Sequence, residues 1–116
     1  MLFSLHFLFL CLYLDKYCQV KEKQMDYLGS KIRELREDKG LLLRQLAADM
    51  DIDTALLSKI ERGDRRANRE QVEKASKVLS FSLDELIVLW LADRIADAIQ
   101  NEPLGKEAIN LTLKDI

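Results

Sequence analysis

A chain of 116 residues with 33% charged side chains and a single proline is sized for one helical globular domain with one core. Its net charge of −2 argues against indiscriminate polyanion binding. Cys11, Cys18 and His6 offer no second Cys or His pair at ligand spacing, which argues against a zinc site and a disulfide framework and leaves free thiols in a reducing compartment as the expectation.

Residues 2–14 are apolar all round, unlike an amphipathic surface helix. The run is short against the ~20 residues of a membrane span. It also lacks the preceding cations and the small-residue cleavage site of a secretory signal. The favoured expectation is a native chain that starts at Met25, with residues 1–24 an extension outside the fold. A weak membrane tether is the alternative.

Leu28, Ile32 and Leu35 recur at helical spacing and Gly40 supplies a left-handed stop, so a first helix is expected over 27–39. A second, over 42–50, turns Leu43, Leu46, Ala47 and Met50 inward but starts without a Ser, Thr, Asp or Asn cap. Asp53 fits the cap of a third helix over 54–62, which Gly63 closes. At roughly 100° per residue, Thr54, Ala55, Ser58, Lys59 and Arg62 share one arc of this third helix. Leu56, Leu57 and Ile60 lie opposite, with Glu61 on the border. Small groups, hydroxyls and two cations on one face suit close approach to a phosphate-lined groove; an ordinary amphipathic helix with a solvated face is the other reading of the same periodicity.

Asn68 with Gln71 and Ser82 with Glu85 form capping pairs that open a fourth and a fifth helix. The fifth should run to about residue 101, ahead of Pro103, and a short sixth should cover 105–113. Charge along this part of the chain is uneven. From Leu56 to Arg69, Lys59, Arg62, Arg65, Arg66 and Arg69 face only Glu61 and Asp64, whereas from Phe81 onward seven acids face three bases. A local basic surface backed by an acidic end favours binding through one face.

Four blocks in register resemble the Cro/cI-type helix-turn-helix domain of phage repressors and small bacterial regulators: residues 28–36, Leu46-Ala47, Leu57-Ser58-Lys59-Ile60-Glu61-Arg62-Gly63, and Ser82-Leu83-Asp84-Glu85-Leu86. The resemblance implies an all-α, lambda-repressor-like bundle of five helices, here with an extended fifth helix and a short C-terminal helix. The third helix would lie in the major groove and the second across the backbone. It further implies base reading by Thr54, Ala55, Ser58 and Lys59, and phosphate contacts from Arg44, Arg62, Arg65 and Arg66. Glu61 would pair with Arg36, a structural ion pair that touches no DNA. Many members carry Ser-Gln where this chain has Leu42-Leu43, which removes a cap and a polar phosphate contact; Arg44 is the candidate to compensate.

Residues 86–92 are apolar without interruption, more than one small bundle can hide. Leu83, Leu86 and Trp90 are expected to complete the core. Ile87, Leu91, Ile95, Ala98 and Ile99 then form a second stripe, read as a homodimer interface unless the sixth helix folds back over it. The expected division is an extension at 1–24, a DNA-binding domain at 25–87 and a C-terminal helical extension at 88–116. No catalytic residue, cofactor, metal, small-molecule substrate or membrane partner is expected, because no His follows Met25, no glycine-rich phosphate loop is present, and the acids are read as caps or solvated faces. The expected function is a cytoplasmic, nucleoid-associated transcriptional regulator, a repressor that reads a palindromic operator in double-stranded DNA as a dimer. An antitoxin or other interaction module with secondary DNA binding is the alternative.

Overall fold

The computed structural model describes residues 26–116, so the expectations for residues 1–24, with His6, Cys11 and Cys18, lie outside it. Six helices follow in order, with no strand among the described residues: α1 Tyr27–Asp38, α2 Leu43–Asp49, α3 Thr54–Glu61, α4 Arg69–Leu79, α5 Leu83–Ile99 and α6 Gly105–Asp115. The fold is all-α, and the helical periodicities account for each element. Leu28 and Ile32 of α1, Leu46 and Ala47 of α2, Leu57 and Ile60 of α3, Val72, Ala75 and Leu79 of α4 and Leu86 of α5 meet in one buried cluster. Burying each large apolar side chain there is worth about 1.5–3 kcal/mol.

Helix ends set the angles between elements. After α1, Gly40 N–H donates to the Glu37 carbonyl at 2.9 Å and Leu41 N–H to the Arg36 carbonyl at 3.1 Å, with Gly40 at φ 69°. This is the Schellman closure, and it recurs after α2 and α3. After α2 the left-handed position belongs to Asp51 (φ 56°), with Ile52 N–H donating to the Ala47 carbonyl at 3.0 Å. The tight turn between α2 and α3 is thus made without glycine, an acidic residue tolerating the left-handed well better than a branched one. The uncapped start of α2 is met from inside the helix, where the Gln45 side chain accepts from Leu42 N–H at 2.8 Å. Asp53 stands at the cap position of α3, but its side chain makes no capping hydrogen bond. α5 ends at Ile99, before the expected residue 101, because Asn101 turns left-handed (φ 64°) ahead of Pro103.

Two polar clamps cross the core. Arg36 Nε and Nη2 donate to the two Glu61 carboxylate oxygens at 2.7 and 3.1 Å, and Nη1 donates to the Leu41 carbonyl at 2.9 Å. The Glu61 side chain is 6% exposed and that of Arg36 13%. One guanidinium thereby joins α1, the loop after it and the last turn of α3. The helices can approach this closely because Gly29 faces α3, where a Cβ would collide with the Ile60 carbonyl and the Asp26 carboxylate.

The second clamp corrects the sequence expectation about acids. Asp93 is not solvated; it is 2% exposed, and its carboxylate accepts from the N–H groups of Tyr27 and Leu28 at 2.8 and 3.0 Å. A side chain of α5 therefore satisfies two of the orphan donors that open α1, while Asp26 satisfies a third by accepting from Gly29 N–H at 3.1 Å. Trp90, three residues earlier on the same stripe, donates its Nε1–H to the Ala67 carbonyl at 2.7 Å. The expected boundary after residue 87 falls inside α5, and residues on its far side bond back to α1 and to the loop before α4.

Removing Arg36 leaves the Glu61 carboxylate buried without its partner, a loss of about 3 kcal/mol or more. Arg36→Ala should therefore lower the melting temperature markedly in a calorimetric scan, and an unchanged melt would refute the clamp. Asp93→Ala removes the acceptor from two backbone donors, that of Leu28 buried, and should cost about 2 kcal/mol. Its signature would be loss of amide-exchange protection in the first turn of α1.

Candidate nucleic-acid interface

Burial of Leu57, Ile60 and Glu61 fixes the rotation of α3 about its axis, and the rest of its surface follows. Thr54, Ala55 and Lys59 are exposed and Ser58 is half-buried between them, so the four residues lie together on the outward face. The side chains there are short at the start of the helix and cationic toward its end. Their chemistry covers three modes: a Lys ammonium can donate to guanine O6 and N7, a Thr or Ser hydroxyl can donate or accept, and an Ala methyl can rest on a thymine methyl. With a single charged donor among the four, the hydrogen-bonding capacity of the face is modest.

Cations frame it. Arg62 at the end of α3 is exposed, its Nε donating to the Ser58 carbonyl at 3.3 Å and lying 3.4 Å from an Asp64 carboxylate oxygen. With both partners more than half exposed, that pair is weak and easily exchanged for another anion. Arg65 is exposed in the loop after α3 and makes no ion pair among the described residues. Arg44 is exposed in the first turn of α2.

Arg66, expected on phosphate, is engaged by carboxylates of the protein itself. Its Nε and Nη2 donate to the two Asp97 oxygens at 2.7 and 2.7 Å, while Nη1 lies 3.6 Å from Asp93 and 3.9 Å from Asp26. The hydrogen bond to Asp97 raises the Arg66 pKa further above its ordinary value and holds the Asp97 carboxyl below the usual carboxylate range. Asp26 moves the other way: burial, and then the neighbouring Asp93 charge, raise its pKa. Three carboxylates surround this guanidinium, so it is spent within the protein. Arg36 and Glu61 likewise form an internal pair remote in chemistry from the outward face, the hydrogen bond to Glu61 holding Arg36 charged.

Sequence reasoning missed Asp93, Asp97 and Trp90 as partners of the loop after α3. A signal was available: Leu86, Trp90, Asp93 and Asp97 follow one another at spacings of four, three and four, so both acids continue the stripe that faces the core. Of the second stripe, Ile87 packs partly buried against the core and Ile99 is half-buried, whereas Leu91 and Ile95 are 44% and 52% exposed. α6 starts where Gly105 packs on the Ile99 side chain, but it does not cover the stripe; Leu111 and Leu113 are themselves open. Between the helices lies an apolar groove of about 270 Å³ lined by Ile95, Ala98, Ile99, Ala108, Ile109, Thr112, Leu113 and Ile116. Among the described residues no helix is long and apolar enough to cross a membrane.

Residues 32–86 match the family described as helix-turn-helix, a span that begins inside α1 and ends in α5. An uncharacterized HTH-type transcriptional regulator of Bacillus subtilis (strain 168), YazB, is 36% identical over 58 residues, covering 50% of this chain and 84% of the relative. The control protein C.MunI of a Mycoplasma species is 37% identical over 59 residues, 50% of this chain and 80% of its own. The control protein C.BamHI of Bacillus amyloliquefaciens is 33% identical over 60 residues, 51% of this chain and 74% of its own. No solved structure matches the chain significantly. The matched span contains α2, α3, α4 and the Arg36–Glu61 clamp, and with these relatives covered over most of their length the chain belongs to the Cro/cI-type helix-turn-helix family of DNA-binding transcription regulators.

Proposed function

We propose that this regulator is a repressor that occupies a palindromic operator as a homodimer, with one α3 in each half-site. The observation that carries the proposal is the outward face of α3, where Thr54, Ala55, Ser58 and Lys59 stand together, framed by Arg62, Arg65 and Arg44. In this arrangement the first four read base edges and the three arginines hold phosphate. α3 has eight residues, so one copy touches few bases. Two copies set about 34 Å apart on a twofold axis double the information and impose the palindrome. The exposed Leu91 and Ile95 and the groove continuing from them offer an apolar surface that supports that pairing. The same groove supports a second reading, an antitoxin-like module in which α5 and α6 cover a different protein and DNA binding is secondary.

Base readers and phosphate holders lose binding in different ways. Lys59→Ala should cost about 1 kcal/mol on the selected operator and relax preference at one position of each half-site, with little change on random duplex. Arg65→Ala should weaken binding to all sequences alike and lower the slope of log K against log salt by about 1. Fluorescence anisotropy across a salt series measures both, and equal losses on operator and random DNA for Lys59→Ala would contradict its role. Sedimentation of the full chain at tens of micromolar should give a dimer, and Ile95→Asp should give a monomer that keeps its helical content. A wild-type monomer would leave the groove to a different protein.

A further inference from the structure

The loop between α3 and α4 is gripped from several sides. The N–H groups of Asp64 and Arg65 both donate to the Lys59 carbonyl, at 2.9 and 3.3 Å, and Trp90 holds the Ala67 carbonyl at 2.7 Å. Between these points Arg66 is fastened to Asp97 by two hydrogen bonds of 2.7 Å, with Asp93 and Asp26 behind. Asp93 in turn holds the start of α1, so the anchor is itself fixed to the core. Arg65, the neighbouring residue, is exposed and makes no ion pair among the described residues. A phosphate brought to Arg66 would meet three carboxylates, whereas one brought to Arg65 would not.

We propose that Arg66 and Asp97 are positioning residues that do not touch DNA: by tying the loop to α5 they fix the backbone from which Arg65 reaches a phosphate. This rests on the DNA-binding reading above. The two possible roles of Arg66 make opposite predictions for its partner. If Arg66 gripped phosphate itself, removing the Asp97 charge would free a cation and delete an anion, and binding would tighten. As a positioning pair, the loop loosens, Arg65 must be ordered when DNA binds, and binding weakens even though the protein has become less negative.

The experiment is a double-mutant cycle on the full chain, using a duplex selected in vitro by the wild-type protein and measured well below the melting temperature of each variant. Asp97→Asn should weaken binding about fivefold in the wild-type background and produce no further loss in the Arg65→Ala background. Asp97→Asn should also lower the salt slope, because a poorly held Arg65 displaces counterions less completely. Unchanged or tighter binding by Asp97→Asn overturns the proposal, as does an equal loss in both backgrounds, which would mark general destabilisation. Failure of the wild-type protein itself to retain any duplex in a salt-sensitive way would instead remove the DNA-binding reading, and this proposal with it.

Discussion

A buried arginine–carboxylate pair decides which side of α3 faces outward. Arg36 and Glu61 lie 25 positions apart in the chain, and neither is a strong stability device in itself, since taking two charges out of water offsets most of their attraction. What the pair supplies is direction. A guanidinium offers donors in a fixed planar fork, and here the fork meets both oxygens of one carboxylate and the carbonyl of Leu41 at once. Only one rotation of α3 satisfies that geometry while Leu57 and Ile60 enter the core, and it is the rotation that leaves Thr54, Ala55 and Lys59 in solvent.

The second clamp works on the opposite flank and makes α5 part of the same rigid unit. Asp93 adds to the local Asp26 cap of α1 a carboxylate from a helix 65 residues away, while Asp97 and Trp90 hold the loop that follows α3. The charges in this cluster respond to pH in opposite senses. Asp97, whose carboxyl is held below the usual range, contributes stability above the ordinary carboxylate pKa, and that contribution is lost as pH falls through its folded value. Asp26, raised chiefly by burial, favours the fold when protonated, so its ionisation costs stability as pH rises through its folded value. The bond from Gly29 N–H and the nearby Arg66 guanidinium act against that upward shift without cancelling it.

α5 connects two surfaces with different chemistry. The stripe of Leu86, Trp90, Asp93 and Asp97 faces the bundle, and Leu91 and Ile95 face away from it. The same helix thus holds the loop after α3 on one side and leaves apolar side chains in solvent on the other.

Helix positions and the family were legible along the chain because they depend on short-range signals: apolar residues at a period of 3.6, the Asn68–Gln71 and Ser82–Glu85 caps, and glycines at 40 and 63 where the backbone turns left-handed. The outward arc of α3 was legible for the same reason, since one helix's periodicity separates Leu57 and Ile60 from Thr54, Ala55 and Lys59. The left-handed Asp51 carried a weaker signal than a glycine, and the Gln45 contact was hidden because Leu42, at the cap position before it, has no side-chain acceptor to complete the pair. The partners of Arg66 and Asp93 were decided only in three dimensions. Arg65 and Arg66 are adjacent and chemically identical, yet one is exposed and the other is held by Asp97, a difference set by where α5 crosses the loop after α3. The spacing of Asp93 from Leu86 and Trp90 puts it on the core-facing stripe of α5, but what it meets there follows from the start of α1 being packed beside α5, where the backbone N–H groups of Tyr27 and Leu28 needed a partner.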